Sequence, residues 1–260
     1  MRDRANLLFL ILGAFFITNA LLAEFIGAKV FSLEETLGLP RAEMEILGFS
    51  NLSFDLTAGV LLWPIVFIMT DVINEYFGKR GVRLLSYLAV GLILYAFVMV
   101  YLAIGTAPAA FWAVDAETNL DMDLAFRKIF GQGLWIIFGS LVAFLIGQLV
   151  DVTVFQRLRR VTGSKQVWLR ATGSTLVSQL IDSYVVLFIA FYWGAEWPAD
   201  RVLAIGTVNY IYKFGTAVLL TPLLYVLHFF IDRFLGEELA NRLTATAAQG
   251  KLGAGQVESL

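Results

Sequence analysis

Long uninterrupted runs of apolar residues, separated by short polar stretches, set the pattern of this chain. Each run is near or above the ~20 residues that carry a helix across a hydrocarbon layer of about 30 Å. Runs of this kind exclude an outer-membrane barrel, whose strands alternate apolar and polar residues. The runs cover residues 7–30, 56–76, 84–106, 134–151, 171–193 and 202–231. The pattern predicts an all-α polytopic membrane protein with six transmembrane helices.

Composition agrees with a membrane protein and removes several kinds of chemistry. Of the 260 residues, 59% are hydrophobic and only 15% are charged, which is too apolar for the surface of a soluble domain of this size. The chain has no cysteine and a single histidine. Thiol nucleophiles, disulfides and histidine clusters for metals are therefore excluded, and no cofactor is expected.

The charges are unevenly shared between alternate loops. Basic residues concentrate in segments 2–4, 79–83, 157–170 and 233–242, and acidic residues in segments 34–55, 115–123 and 196–200. Because basic loops stay on the cytoplasmic side, this alternation predicts that both termini are cytoplasmic. The expected location is the plasma membrane, which is the inner membrane of a Gram-negative cell.

The polar segments predict little structure outside the spans. We expect one transmembrane domain over residues 1–232, with an external hairpin near 33–55 whose second strand covers 52–56. A cytoplasmic tail over 233–260 follows, with a short surface helix over 234–248 and a disordered end over 249–260.

The pattern Gln-Leu-x-Asp occurs twice inside apolar runs, as Gln148 to Asp151 and as Gln179 to Asp182. Residues three apart share one face of a helix. Ionisable groups at bilayer depth face a protein interior or a wet cavity, because lipid exposure is costly. Asp182 lies near mid-depth, where Lys213 of the next, antiparallel span is a plausible ion-pair partner. That pair has two interpretations, a link between helices or a coupling site.

A second polar group stands at the cytoplasmic end of the second span. Asp71, Asn74 and Glu75 lie on one stripe of that helix, directly before a basic loop. They either pair with Lys79, Arg80 or Arg83 in a helix-end network or line the inner gate of a transport path. For Asp151 the same choice holds, with Arg157 as the structural partner.

The polar inventory suits a flat heterocyclic cargo. Asn19, Gln148, Gln179 and Asp182 offer amides and carboxylates, and 14% of the chain is aromatic. A nucleobase-like ring needs an aromatic face to stack on and such groups at its edges. Aromatics that could stack are Tyr184, Tyr192, Trp193, Tyr210 and Tyr212, although aromatics in such positions usually belong to the core or the interfacial belt.

Residues 70–79 (TDVINEYFGK) and 174–183 (STLVSQLIDS), with Asn19 and Lys29, resemble the queuosine-precursor transporter family, also described as vitamin uptake transporters. The resemblance implies import of 7-deazaguanine bases, such as 7-cyano-7-deazaguanine and 7-aminomethyl-7-deazaguanine, for the queuosine modification of tRNA. It also implies a six-span fold similar to the substrate-capture subunits of energy-coupling-factor transporters. The positions that match the family's polar motifs are Asp71, Asn74, Glu75, Gln179 and Asp182.

Three alternatives stay open at the level of sequence. The chain could be a vitamin-capture subunit that depends on an ATP-driven module, since it contains no phosphate loop of its own. It could be an intramembrane enzyme using its carboxyl groups, or a structural scaffold. As a transporter it could use protons through Asp182 or Glu75, or run downhill. Expected partners are a small deazapurine base and the lipid bilayer, with no nucleic acid; a homodimer is left open.

Overall fold

The computed structural model describes residues 2–131, 133–162 and 166–249, with side chains from residue 4 onward. Within these residues there are eight α-helices: α1 (Arg2–Ile26), α2 (Leu33–Thr36), α3 (Trp63–Ile104), α4 (Met122–Phe130), α5 (Leu134–Thr162), α6 (Val167–Leu187), α7 (Ala199–Leu235) and α8 (Glu237–Ala248). A π-helical segment, Phe188–Trp193, continues α6. Five of these helical stretches are long and apolar enough to cross a membrane. The predicted all-α polytopic membrane fold is confirmed.

The longest helix, α3, breaks at one glycine. Its 42 residues would extend about 63 Å as a straight rod, twice the hydrocarbon thickness. Gly78 has φ 69° and ψ −178°, a conformation that glycine adopts readily and that ends a right-handed helix. The interval between the predicted runs 56–76 and 84–106 is thus broken at a single residue, and helix resumes immediately after it.

The contacts of α3 with α1 show that the chain reverses at this break. Three contacts show how α3 runs along α1. Gly59, just before α3, lies beside Ala23, and Phe77 lies beside Phe9. After the break, Phe97 lies beside Phe25. The chain therefore runs down α1 before Gly78 and back up α1 after it. Each part of α3 can serve as one crossing, which is compatible with six crossings, and that count stays a prediction.

Residues 30–57 form two small antiparallel sheets between the first two long helices. Strands β1 (Val30–Ser32) and β4 (Asp55–Thr57) pair, as do β2 (Met44–Ile46) and β3 (Phe49–Leu52). The predicted strand over 52–56 is interrupted, because β3 ends at Leu52 and β4 begins at Asp55. Gly48, with φ 81°, lies in the turn between β2 and β3, where a left-handed residue is needed.

Glu34, in α2, accepts hydrogen bonds from the segments that flank the strands of these sheets. One carboxylate oxygen accepts hydrogen bonds from the backbone N–H groups of Phe54 (2.9 Å) and Ala42 (3.3 Å). Burial by itself would raise the pKa of Glu34, but these hydrogen bonds to the charged form outweigh it and lower that pKa below its ordinary 4.5.

The C-terminal helix α8 is part of the folded domain. Its apolar side chains Leu239, Leu243 and Ala247 are buried, and Gly78 lies against Ala247. A tail beginning at residue 233 with a surface helix was expected, whereas α7 continues to Leu235 and α8 packs on α3. Residues 250–260, where a disordered end was predicted, lie outside the described residues.

Candidate functional site

A cavity opens between α3, α6 and α7. It encloses about 540 Å³ of empty space, counting its open mouth. Most of its wall is apolar, and six polar side chains line it: Asp71, Thr172, Thr175, Gln179, Lys213 and Thr221. An apolar pocket with a few convergent polar groups is the usual form of a small-molecule site.

Two of these polar groups present atoms without a hydrogen-bond partner in the described part of the chain. Asp71 is 4% exposed; its Oδ2 accepts a hydrogen bond from the Thr175 hydroxyl (3.3 Å), and its Oδ1 has no partner. Gln179 is 3% exposed, and its Nε2 donates to no described group. A buried donor or acceptor left unpaired is costly. Both side chains line the cavity, so an occupant that reached these two atoms would satisfy one acceptor and one donor.

Helix geometry brings these groups to the cavity. Trp63, Phe67 and Asp71 are spaced i, i+4 and i+8 along α3, and all three line the cavity. On the facing helix α6, Thr175 and Gln179 are four apart and share the face turned toward α3. One wall thus presents aromatic rings above a carboxylate, and the other presents a hydroxyl and an amide.

The ion pair predicted between neighbouring spans is present. Lys213 of α7 donates to Asp182 of α6, with both side chains largely buried. Lys213 lines the cavity and Asp182 does not. Asp182, one of the candidate cargo contacts suggested by the sequence, is therefore linked to this cavity through Lys213.

The first Gln-Leu-x-Asp segment, Gln148 to Asp151, does not line this cavity. Gln148 accepts a hydrogen bond from Thr70 (3.1 Å) and lines a separate, smaller cavity of about 200 Å³. Asp151 is fully buried and accepts from the Ser178 hydroxyl (3.1 Å). The alternative partner Arg157 is not the one it uses.

Glu75 belongs to a buried ion network rather than to the cavity. It pairs with Arg170 of α6 (2.8 Å) and Arg159 of α5 (3.2 Å). Arg159 also donates to the backbone oxygen of Thr244 in α8 (2.8 Å). The predicted helix-end network exists, but its partners come from other helices, and pairing with the adjacent basic loop at 79–83 is wrong.

Two more predicted residues take part in local bonds. Asn74 accepts a hydrogen bond from Gln156 (2.7 Å), and Asn19 donates to the backbone oxygen of Phe15 one turn earlier (2.8 Å). Neither is among the residues that line the large cavity. The structure thus brings Asp71, Gln179 and Lys213 together and places Asn19, Asn74, Glu75, Gln148 and Asp151 outside the cavity wall.

The aromatic residues at the cavity were not among those singled out from the sequence. Trp63 and Phe67 line it, whereas Tyr184, Tyr192, Trp193, Tyr210 and Tyr212 do not. The signal that could have found them is their i, i+4 spacing ahead of Asp71, at the Pro64-marked start of a helix.

Fold and cavity together define a multi-pass helical membrane protein with a partly polar binding pocket in its interior. The model of the family described as "Putative vitamin uptake transporter" matches residues 57–227, a range that holds every residue lining the cavity. The chain belongs to this family. It is accordingly a membrane transporter and not an enzyme.

Curated relatives extend the comparison. A "Probable queuosine precursor transporter" of Bacillus subtilis is 33% identical over 176 residues, covering 66% of this chain and 72% of that protein. A protein of Haemophilus influenzae with the same name is 29% identical over 181 residues, 68% of this chain and 71% of its own length. A "Queuosine precursor transporter" of Escherichia coli is 28% identical over 203 residues, 77% and 86% of the two chains. No solved structure matches the chain.

Proposed function

We propose that this chain imports queuosine precursors across the plasma membrane, with 7-cyano-7-deazaguanine and 7-aminomethyl-7-deazaguanine as cargo and both termini in the cytoplasm. The names of the three relatives support the class of cargo. The observation that carries the proposal in this chain is the pairing of an unpartnered acceptor, Asp71 Oδ1, with an unpartnered donor, Gln179 Nε2, at one cavity.

A 7-deazaguanine presents the complementary edge. Its ring N–H and exocyclic amine are adjacent donors, which a carboxylate such as Asp71 accepts, and its neighbouring carbonyl accepts from an amide such as Gln179. Hydrogen bonds to a charged group are worth about 1.5–3 kcal/mol each, roughly twice a neutral one. Asp71 therefore supplies most of the recognition, and Gln179 selects the carbonyl-bearing edge.

The faces of the ring require flat apolar surfaces. Trp63 and Phe67 line the cavity on the same face of α3 as Asp71, where a planar base bound to that carboxylate would reach them. Base stacking on an aromatic side chain is worth about 1–3 kcal/mol. An aromatic wall beside a carboxylate fits a purine-like ring better than an aliphatic vitamin tail.

The Glu75 network closes one end of this path. Arg159 and Arg170 bind Glu75 across three helices, and Arg159 also reaches Thr244 of α8. Passage of cargo along α3 toward Gly78 requires these bonds to separate. In the proposed orientation this end is the cytoplasmic gate, the role that the sequence suggested for this stripe.

A ligand panel on the purified protein tests the proposal. Thermal unfolding is measured with each deazaguanine, guanine, riboflavin and biotin, because a ligand at about 100 times its dissociation constant adds about 2.7 kcal/mol to stability. The two deazaguanines should raise the melting temperature and the vitamins should not. Stabilisation by a vitamin alone would assign the cavity to vitamin capture. Uptake by the protein alone in vesicles excludes dependence on an energising module.

A further inference from the structure

Behind the cavity, two carboxyl groups from different helices meet a row of hydroxyls on α6. Thr175 donates to Asp71 of α3 (3.3 Å), and Ser178 donates to Asp151 of α5 (3.1 Å). Ser174, on the same face of α6, stands within interaction range of both carboxyl groups. The two acids therefore share one small polar compartment inside the helix bundle.

Each carboxyl group keeps one oxygen unsatisfied. Asp71 Oδ1 and Asp151 Oδ2 have no hydrogen-bond partner among the described residues, although Asp71 is 4% exposed and Asp151 is 0% exposed. Other charged groups in the bundle interior have partners of their own: Glu75 pairs with Arg159 and Arg170, and Asp182 pairs with Lys213. Glu24 accepts a hydrogen bond from the Ser140 hydroxyl, and Asp232 and His228 bond to the Tyr76 hydroxyl. Those ion pairs leave the compartment without a cationic side chain from the described residues.

Two ionised carboxylates in a compartment that excludes water repel each other strongly and lose their hydration. A divalent cation takes about six oxygen ligands in a set geometry, whereas each acid here leaves a single oxygen without a hydrogen-bond partner. A proton needs one acceptor on each side, which is what the two free oxygens supply. We propose that Asp71 and Asp151 share one proton and that this proton is the coupling ion of transport.

The proposal rests on the proposed function, because the cargo is what makes the proton move. Cargo N–H groups donate more strongly to an ionised Asp71 than to a protonated one, so cargo binding favours the state in which the proton lies on Asp151 Oδ2. After the cargo has left on the cytoplasmic side, Asp151 gives its proton to the cytoplasm, and the empty pair takes up a new proton from the outside. The only bonds that form and break are O–H bonds, and the proton enters from one face of the membrane and leaves at the other.

Vesicles holding the purified protein separate cargo binding from proton coupling. Asp151 does not line the cavity, and Asp151→Asn keeps an oxygen for Ser178. This variant should exchange labelled 7-cyano-7-deazaguanine across the membrane within about twofold of the wild-type rate. It should lose the several-fold accumulation that an inward proton gradient gives the wild type. Asp200→Asn, which changes an exposed carboxylate at the start of α7, is the matched control and should keep both properties.

Retained gradient-driven accumulation in Asp151→Asn would overturn the proposal, as would accumulation driven by sodium without a response to pH. If the wild type neither binds nor exchanges deazaguanines, the proposed function fails, and infrared spectroscopy still decides the proton site. The wild type should show a protonated-carboxyl C=O band at neutral pH that is absent from the double variant Asp71→Asn/Asp151→Asn. Identical spectra would contradict a shared proton.

Discussion

The two Gln-Leu-x-Asp segments have the same residue types at the same spacing and different surroundings. In α6, Gln179 faces the cavity and Asp182 holds Lys213. In α5, Gln148 faces a smaller cavity and Asp151 accepts from Ser178 without an ion-pair partner in the described chain. Gln148, Asp151 and Gln179 are buried, and Asp182 is largely so, as expected of intramembrane polar groups. The motif therefore predicts that its side chains are largely buried, and the residues of the neighbouring helices determine what each side chain contacts.

The largest difference between the segments should appear in stability. Asp182→Asn leaves Lys213 buried without its counter-charge, which costs about 3 kcal/mol. Asp151→Asn keeps the hydrogen bond to Ser178 and should cost less than about 1 kcal/mol. Thermal unfolding in detergent measures both.

A second variant isolates the ion pair from other effects of Asp182→Asn. Adding Lys213→Met to that change removes the unpaired cation and should restore most of the lost stability, as a coupled pair in a double-mutant cycle does. Equal losses in Asp151→Asn and Asp182→Asn would show that the surroundings do not separate the two segments.

The amides should differ in cargo affinity. Gln179→Leu removes the proposed donor to the cargo carbonyl and should weaken binding of 7-cyano-7-deazaguanine about 10-fold, or about 1.4 kcal/mol. Gln148→Leu is the matched change at equal burial and should leave the dissociation constant unchanged. Titration calorimetry reads both values, and a larger loss in Gln148→Leu would move the site to the smaller cavity.

Removing an aromatic side chain from the cavity wall should have a smaller effect on cargo affinity. Trp63→Leu keeps an apolar side chain and removes the stacking face, which should weaken binding about fivefold, near the lower end of stacking energies. Tyr192→Leu changes an exposed aromatic outside the cavity and should have no effect on the dissociation constant. The opposite ranking would favour the aromatics that the sequence alone suggested.

The smallest effect concerns a carboxylate outside the bundle. The hydrogen bonds from Phe54 and Ala42 lower the pKa of Glu34 below 4.5. Its contribution to stability is therefore complete above pH 4.5 and is lost as pH falls through the lowered value. Limited proteolysis of segment 30–57 should accelerate in acid in the wild type. Glu34→Gln should show the faster cleavage already at neutral pH and little further change in acid.

Much of the fold was accessible from the sequence because it depends on local patterns. The apolar runs predict the long helices. The antiparallel order of the fifth and sixth runs predicted the Asp182–Lys213 pair. The reversal was expected between residues 76 and 84, but not its location at Gly78, since a single left-handed glycine is enough to make it. The burial of α8 depends on a surface of α3 that is distant in sequence.

The site was only partly predictable for a related reason. Sequence spacing shows which residues share a helix face, but not which neighbouring helix that face meets. Gln179 was found by its polarity inside an apolar run, and Asp71 was found as part of a polar stripe at a helix end, where a gate or a structural network was expected. Glu75 looked the same by that criterion, yet Arg159 and Arg170 from distant segments neutralise it. Trp63 and Phe67 carried no polarity signal and were missed.

The dissociation constant of 7-cyano-7-deazaguanine for Asp71→Asn, measured beside Asp151→Asn, tests the central claim most directly. Both changes remove one buried carboxylate, and only Asp71 lines the cavity. Loss of hydrogen bonds to a charged acceptor should weaken binding by Asp71→Asn about 100-fold, while Asp151→Asn stays within about twofold of wild type. Wild-type affinity in Asp71→Asn, with the protein folded, would contradict recognition of the cargo by this carboxylate.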